Sequence, residues 1–449
     1  MWHVLIKRPS GAGLAAIAAM LVAASAQAGE PQSVSEARLR ADIARLVSFG
    51  TRHTLSAQDD PVRGIGAARN WAADEFRKTS AACDNCLSVV LPETMIAGDR
   101  VPVPTRLVDV VAIQRGTERP NEVVIVQGHI DSRVSDVMDA KSDAPGANDD
   151  GSGTALVLEA ARVLSQRKFP TTIVYAVLSG EEQGLYGGRL LADYAEQQGW
   201  TVKAVLNNDI VGNSRGSDGL VDDAHVRVFS EGPRADGDDK LRAAVRRFGG
   251  ENDSPGRNLS RFIAGLATAD KRGLAVRQVW RSDRMGRGGD QIPFLDKGYP
   301  AIRFSVAVEN YDHQHQDLRV SNGVTYGDTI AFMDFPYLAR VTRLNVATLS
   351  AIARAPVAPA ASAEAAVQTF TTVKWAPSAG AVAYHVWRRR TDARDWGQPV
   401  RVAGGENTTI KLDGVRGDDW IFGVSAIAAS GAESPVSSAV PGGKFEPLH

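Results

Sequence analysis

The chain has 449 residues, more than one ordinary domain needs, and 43% of them are hydrophobic against 23% charged, a globular balance that can bury a sizeable core. The formal net charge is -1, from 51 basic and 52 acidic residues. Neither nucleic acid nor an anionic membrane surface is indicated as a partner.

The chain opens with the pattern of an export signal: a basic start at Lys7 and Arg8, the apolar run GAGLAAIAAMLVAA, and the small-residue cleavage site Ala26-Gln27-Ala28. That run is shorter than the roughly 20 residues that span a bilayer, and no cysteine follows it to carry a lipid anchor. No later stretch is apolar enough to cross a membrane. Residues 1–28 are therefore read as a signal peptide, and the mature chain is expected to be soluble in the periplasm or the medium. Cys83 and Cys86 are the only cysteines. In an oxidising compartment such a close pair predicts a small-loop disulfide. Two more ligands for a zinc knuckle are missing, as is a thioredoxin-like surround.

SVSEARLRADIARLVSFG and IGAARNWAADEFRKT carry apolar residues at helical spacing, the first with Ser33 or Ser35 as its cap. Together they are expected to cover one face of a sheet, with His53 between them packed or at the surface. LSVVLPET and TRLVDVVAIQRG read as strands, the second antiparallel or at an edge. EVVIVQGHIDS, TTIVYAVLSGEEQG and VKAVLNNDIVG then contain short, β-branched, non-alternating apolar runs, the pattern of strands buried on both faces of a parallel sheet. SGTALVLEAARVLSQRKF and GLYGGRLLADYAEQQG are the helices between them. Residues 213–235 read as loop, DDKLRAAVRRFGG as helix, LAVRQVWR as strand, DRMGRGGDQIPFLDKG as a loop entering a short helix, and YPAIRFSVAV as the last core strand. A long helix follows, broken or kinked at Pro336. The fold class expected is α/β, a mixed, mostly parallel sheet sandwiched by helices, over a catalytic domain of residues 29–354.

Residues 355–366, APVAPAASAEAA, read as a Pro/Ala linker. From 367 to 443, short strands separated by turns predict a small all-β sandwich. With Trp375, Tyr384, Trp420 and GAESPVSS it resembles a fibronectin type III domain, departing from the pattern by a tryptophan at 420 where a tyrosine is usual. It shows no exposed aromatic cluster from which a ligand could be read, so its role stays open. His385 and His449 are expected at the surface without partners.

The chemistry lies at the strand ends. His129 and Asp131 end the first apolar run, Glu181 and Glu182 the second and Asp209 the third, while Asp149 and Asp150 sit in the glycine-flanked loop APGANDDGSG. In an open α/β sheet the ligand crevice lies beyond the carboxyl ends of such strands. His129, Asp149, Glu182, Asp209 and a histidine from YDHQHQD make five ligands, too many for one tetrahedral zinc. With one carboxylate bridging they suit two zinc ions about 3.5 to 4 Å apart. Asp149, in its glycine-rich loop, is the natural bridge. Of the adjacent glutamates, Glu182 is assigned as ligand and Glu181 as general base. Asp131 is placed to accept the other N–H of His129 and fix its tautomer.

GHIDS, PGANDDGSG, SGEEQGLYGG and NNDIVG resemble the successive metal motifs of the two-zinc aminopeptidases of the bacterial leucyl aminopeptidase type, over roughly residues 35–350. The resemblance implies a phosphorylase/hydrolase-like fold with one zinc on His129 and Asp209. It places the second zinc on Glu182 and a late histidine, with Asp149 bridging and Glu181 as base. The family's spacing of a histidine four residues before an aspartate fits His313 and Asp317, with His315 as the rival. Relatives place an oxyanion-stabilising tyrosine directly before that histidine. Here Asp312 holds the position and Tyr311 lies one earlier, so Arg287 and Tyr311 are the candidates for the role. The function implied is exported hydrolysis of N-terminal peptide bonds. A carboxypeptidase, dipeptidase or glutaminyl cyclase on the same scaffold is the alternative, and a non-catalytic binding ectodomain a more distant one.

Overall fold

The computed structural model describes residues 33–233, 237–271 and 273–445. The predicted signal peptide and His449 lie outside the described residues. In chain order the elements up to Arg354 are α1 (Glu36–Val47), α2 (Gly64–Ala81), β1 (Ser88–Val90), β2 (Glu93–Gly98), β3 (Val101–Val108), β4 (Val110–Gln114), β5 (Arg119–His129), α3 (Gly151–Leu164), β6 (Thr171–Leu178), α4 (Tyr186–Gln197), β7 (Thr201–Asn208), β8 (His225–Ser230), α5 (Asp239–Phe248), α6 (Pro255–Ala269), β9 (Ala275–Val279), α7 (Ile292–Asp296), β10 (Ala301–Val306) and α8 (Phe335–Arg354), with a short hairpin and a 3₁₀ turn between β10 and α8.

Eight strands form one sheet in the order β1-β4-β6-β5-β7-β10-β8-β9. The inner four are parallel, and β4 and β8 join them antiparallel. The non-alternating runs follow from burial on both faces. Val124 and Val126 pack with α1, α2, α3, α6 and α8 on one side, and Val123 and Ile125 with α4 and α7 on the other. Ile173, Tyr175 and Val177 on β6 alternate with Val174, Ala176 and Leu178 in the same way.

Ser35 caps α1 through its contact with the Arg38 N–H. Cys83 and Cys86 are joined in a disulfide just after α2. His53 is fully buried, with Nε2 2.9 Å from the Val137 carbonyl oxygen. Among the described residues no helix is long and apolar enough to cross a membrane.

Several expectations are corrected. TRLVDVVAIQRG is two strands, because the Asp109 side chain turns away to accept the Ser179 N–H at 2.9 Å. β3 then pairs with β2 in a separate hairpin, while β4 enters the main sheet. Residues 213–235 contain β8, whose buried Val226, Val228 and Phe229 pair it to β10. SPGRNLSRFIAGLATA forms α6, capped by Ser254 with proline in the first turn. Pro336 starts α8 and does not kink it: the Asp334 carboxylate accepts the Tyr337 N–H, and a first-turn proline gives up no intrahelical bond.

The stretch read as linker is ordered chain. Ala355, Ala358 and Ala361 are buried, and Ala361–Glu364 pairs with Phe370–Trp375. With Thr409–Asp413 these make a three-stranded antiparallel sheet; Val400–Ala403, Ala381–Arg390, Trp420–Ala428 and Ser437–Ser438 make a four-stranded one. The two share a core of Val373, Trp375, Tyr384, Val386, Phe422 and Val424. His385 has a partner after all, its Nδ1 lying 3.0 Å from Glu433 Oε1.

These sheets sit directly against α6. The buried Asp253 carboxylate pairs with Arg389 Nη2 at 2.6 Å and accepts the Ser438 hydroxyl at 3.2 Å, and Arg261 Nε donates to the Arg394 carbonyl at 2.7 Å. Residues from Ser33 onward form one compact unit.

Candidate metal centre

Three neighbouring parallel strands end at one place, and each releases an acid or a histidine there. His129 is the last residue of β5, the loop after β6 carries Glu181 and Glu182, and Asp209 follows β7 directly. Asp149 comes from the loop that enters α3, across a cis peptide to Asp150.

Asp150, adjacent to the ligand candidates and buried, ties these ends together. One oxygen accepts the His129 N–H at 3.0 Å, and the other accepts Gly153 N–H at 2.9 Å and Ile210 N–H at 3.3 Å. It thereby caps α3 and fixes the ends of β5 and β7 with one carboxylate. The approach needs glycine: a Cβ on Gly153 would lie 2.2 Å from the Asn208 carbonyl, and one on Gly128 2.7 Å from the Gly153 backbone. Asp328 accepts the N–H groups of Asn148 and Asp149 at 3.0 and 2.7 Å and holds the other side of the loop. The fully buried Arg52 donates to the Ile130, Pro145 and Gly146 carbonyls.

Two groups of side chains result: His129, Glu181 and Asp209, and Asp149, Glu182 and His315. Within each, ligand atoms lie within 4.8 Å of one another. His129 Nε2 faces Asp149 Oδ1 at 3.3 Å and Asp209 Oδ2 at 3.9 Å, buried and without a hydrogen-bond partner. His315 Nε2 lies 2.8 Å from Asp149 Oδ2 and 2.9 Å from Glu182 Oε1, although that glutamate oxygen lacks the alignment for a hydrogen bond. Asp149 stands between the two groups.

The late histidine in the cluster is His315. His313, the expected one, stacks on the Phe332 ring at 3.6 Å between centroids and belongs to neither group. The reason is the turn through residues 310–316. His315 takes a left-handed φ of 54°, which re-aims the chain so that a residue two positions on reaches Asp149.

Asp131 is in place with a different set of contacts. His129 Nδ1 lies 3.1 Å from the Asp131 backbone oxygen and 3.5 Å from its carboxylate. The carboxylate itself accepts the backbone N–H groups of Glu181 and Glu182 at 3.3 and 3.1 Å and the Thr54 hydroxyl at 3.1 Å. It positions the glutamate pair as much as the histidine. Arg133 Nε donates to Glu182 Oε2 at 2.8 Å, and the fully buried Arg303 pairs with Asp209, its Nη2 2.8 Å from Oδ1 and donating to the backbone oxygen at 3.4 Å. Neither arginine carried a signal in the sequence: Arg133 sits in a loop, and Arg303 lies inside an apolar strand.

Tyr311 is 61% exposed and outside both groups. Arg287 is partly exposed, with Nη1 3.4 Å from Gln314 Oε1. Gln314 Nε2 in turn donates to Asp149 Oδ2 at 3.1 Å. Gln314 and Asp149 line a small cavity of about 10 Å³ together with Ile210, His313, Phe332 and Met333.

Electrostatics follow from burying so many acids together. Burial disfavours charge on His129, yet the Asp131 and Asp149 carboxylates outweigh it and raise its pKa well above the ordinary value. Burial likewise opposes charge on His315, and Glu182 and Asp149 lift it to about 9. Burial pushes Glu181 well above the ordinary carboxylate range, with His129 opposing and Glu182 and Asp209 adding. The pocket draws in positive charge. Imidazole nitrogen and carboxylate oxygen without thiolate, converging on an unpartnered Nε2, is a donor set that fits zinc.

The model of "Peptidase family M28" matches residues 109–326. A probable zinc metalloprotease of Leptosphaeria maculans is 43% identical over 416 residues, 92% of this chain and 96% of the relative. One from Pyricularia oryzae is 42% identical over 91% of this chain and 83% of its own length. Among solved structures, LapB from Legionella pneumophila superposes with a TM-score of 0.52 over 70% of this chain and 71% of that one, at 20% identity. LapA from the same organism gives 0.51 over 70% and 72%, at 19% identity.

Proposed function

The chain belongs to peptidase family M28 and is a zinc metallopeptidase, and from that premise we propose that it is an exported aminopeptidase working with two zinc ions. The observation that carries this reading is the paired grouping around Asp149, with His129 Nε2 buried, unpartnered and facing two carboxylates. His129 and Asp209 would hold one ion, Glu182 and His315 the other, and Asp149 would bridge. Bound zinc supplies Lewis acidity toward the scissile carbonyl and lowers the pKa of water.

The protein's own groups do the rest. Glu181 takes a proton from the attacking water as its oxygen bonds to the carbonyl carbon. It then delivers that proton to the leaving nitrogen as the C–N bond breaks. Asp131 holds Glu181 through its backbone N–H, Arg303 takes one oxygen of Asp209 and leaves the other toward His129, and Arg133 does the same for Glu182. Buried carboxylates outnumber guanidinium groups here, which favours divalent charge in the pocket.

Action at the N-terminal bond rests on the likeness of GHIDS, PGANDDGSG, SGEEQGLYGG and NNDIVG to the two-zinc aminopeptidases. Export fits the basic, apolar and small-residue pattern of the first 28 residues and the Cys83–Cys86 disulfide. The test is zinc content together with hydrolysis of a panel of amino-acid p-nitroanilides with free and acetylated N-termini. Two zinc ions per chain and hydrolysis confined to free N-termini are expected. Activity only on the acetylated series would overturn the aminopeptidase reading.

A further inference from the structure

Gln314 stands beside the reacting centre with an orientation that its neighbours decide. Its oxygen faces Arg287 Nη1 at 3.4 Å and its nitrogen faces Asp149 Oδ2 at 3.1 Å. A guanidinium only donates and an ionised carboxylate only accepts, so the amide cannot be the other way round. An amide nitrogen carries two hydrogens, and one of them is spent on Asp149. Gln314 is 9% exposed and shares a small cavity with Asp149, so the second hydrogen is left beside Asp149 on an amide largely shielded from bulk water.

Arg287 is placed to hold that arrangement. Its loop borders the segment that carries the glutamate pair, since a Cβ on Gly288 would meet Leu185 Cδ1 at 3.7 Å. The acid nearest to it, Glu309 at 3.8 Å, is already engaged by Arg227 and by Arg284 Nη1 at 3.3 Å. The Gln314 oxygen, at 3.4 Å, is the nearer of the two partners of Arg287.

We propose, resting on the hydrolytic reading above, that Gln314 is a catalytic residue whose Nε2–H donates to the oxygen that becomes negative as the substrate carbonyl turns tetrahedral, and that Arg287 is its positioning residue. Tyr311, exposed and outside the cluster, takes no part. Arg287 then acts one residue removed from the oxyanion instead of on it. A donor fixed in advance and aimed at developing charge contributes most where water is excluded.

The test uses the zinc-loaded full chain with its best p-nitroanilide substrate, and two inhibitors of the same side chain: the free amino acid and the tetrahedral α-aminophosphonic acid. Gln314→Ala is expected to lower kcat by roughly 10²–10³, with KM within about threefold and zinc content unchanged. Its affinity for the phosphonic acid should fall in step with kcat, while that for the amino acid stays near the wild-type value. Arg287→Met should give a smaller loss of the same kind and add little to Gln314→Ala, since both act through one hydrogen bond. A Gln314→Ala turnover within twofold of wild type, or equal weakening of both inhibitors, would overturn the proposal. Loss of zinc in Gln314→Ala would also overturn it, by making the residue structural. Wild-type protein that binds zinc yet hydrolyses no free-amine substrate would overturn the hydrolytic reading and this one together; an active wild type with an indifferent Gln314→Ala overturns only this one.

Discussion

Two of the buried charge clusters among the described residues are built differently. Around Asp149, the carboxylates of Asp131, Glu182, Asp209 and Asp290 are at most 5% exposed and crowd together, with His129 Nε2 and Glu182 Oε1 lacking hydrogen bonds. Around Asp253, one buried carboxylate meets Arg389 at 2.6 Å, Arg261 at 3.9 Å and the Ser438 hydroxyl at 3.2 Å. Arg389 also spends Nη1 on the Ala393 carbonyl at 2.6 Å. Burying a charge is costly unless a partner offsets it. The second cluster sets two guanidinium groups against its one acid and joins two parts of the chain, although Arg389 Nε and Arg261 Nη2 also lack hydrogen bonds. The first is left with surplus acid, and that surplus is the mark of a place where a cation belongs.

The sharpest way to break this contrast is at Glu181. Glu181→Ala is expected to lose roughly 10²–10⁴ in kcat while keeping its zinc and a melting temperature no lower than wild type, measured by steady-state kinetics, elemental analysis and calorimetry. A large fall in melting temperature would make the acid structural. At the next level, His315→Ala should drop the zinc content from two ions to one per chain, and His313→Ala should keep both, because the latter ring only stacks on Phe332. The reverse result would restore the expected register.

On the other side of the comparison, Arg389→Met leaves Asp253 buried with its main partner gone. It should cost about 3–5 kcal/mol in a denaturant titration and leave zinc content and kcat where they were. A change in kcat would show that the α6 interface reaches the site.

The smallest effect concerns Lys203. Burial, only partly opposed by Glu122, pushes its ammonium down to about 7, and its Nζ donates to the Ala355 carbonyl at 2.7 Å. The ordinary value is 10.5, so between about pH 7 and 10 the folded chain binds fewer protons than the unfolded one and stability rises with pH. Lys203→Met should flatten that rise. A pH–stability curve identical to wild type would show that the group titrates normally.

Most of the architecture could be read from particular residues. VVIV and IVYAVL identified the buried parallel strands, the acids at their ends identified the crevice, and the Asp149-Asp150 step before an amphipathic run identified the start of α3. What stayed hidden has physical causes. β8 was concealed because its residues alternate between the sheet core and a polar loop, and Asp222, Asp223 and the glycines around it dominate the local composition. The choice between His313 and His315 turns on one left-handed residue within a tight turn, and no periodicity runs through that turn. Arg303 and Asp150 could not be recognised because their worth is in what they touch across 94 and 60 residues of chain. The linker was misjudged because alanine and proline mark an unstructured spacer and a buried close-packed crossing with the same letters.

The bonds that Asp150 makes to His129, Gly153 and Ile210 tie the span of the pocket to the backbone. A cage whose width is fixed by the backbone measures ionic radius. Calcium, which asks for six to eight oxygens at about 2.3–2.6 Å, finds nitrogen donors and too few oxygens within such a frame. Cobalt, like zinc, would accept the mixture of imidazole and carboxylate donors that the frame presents, and manganese would lean on its carboxylates.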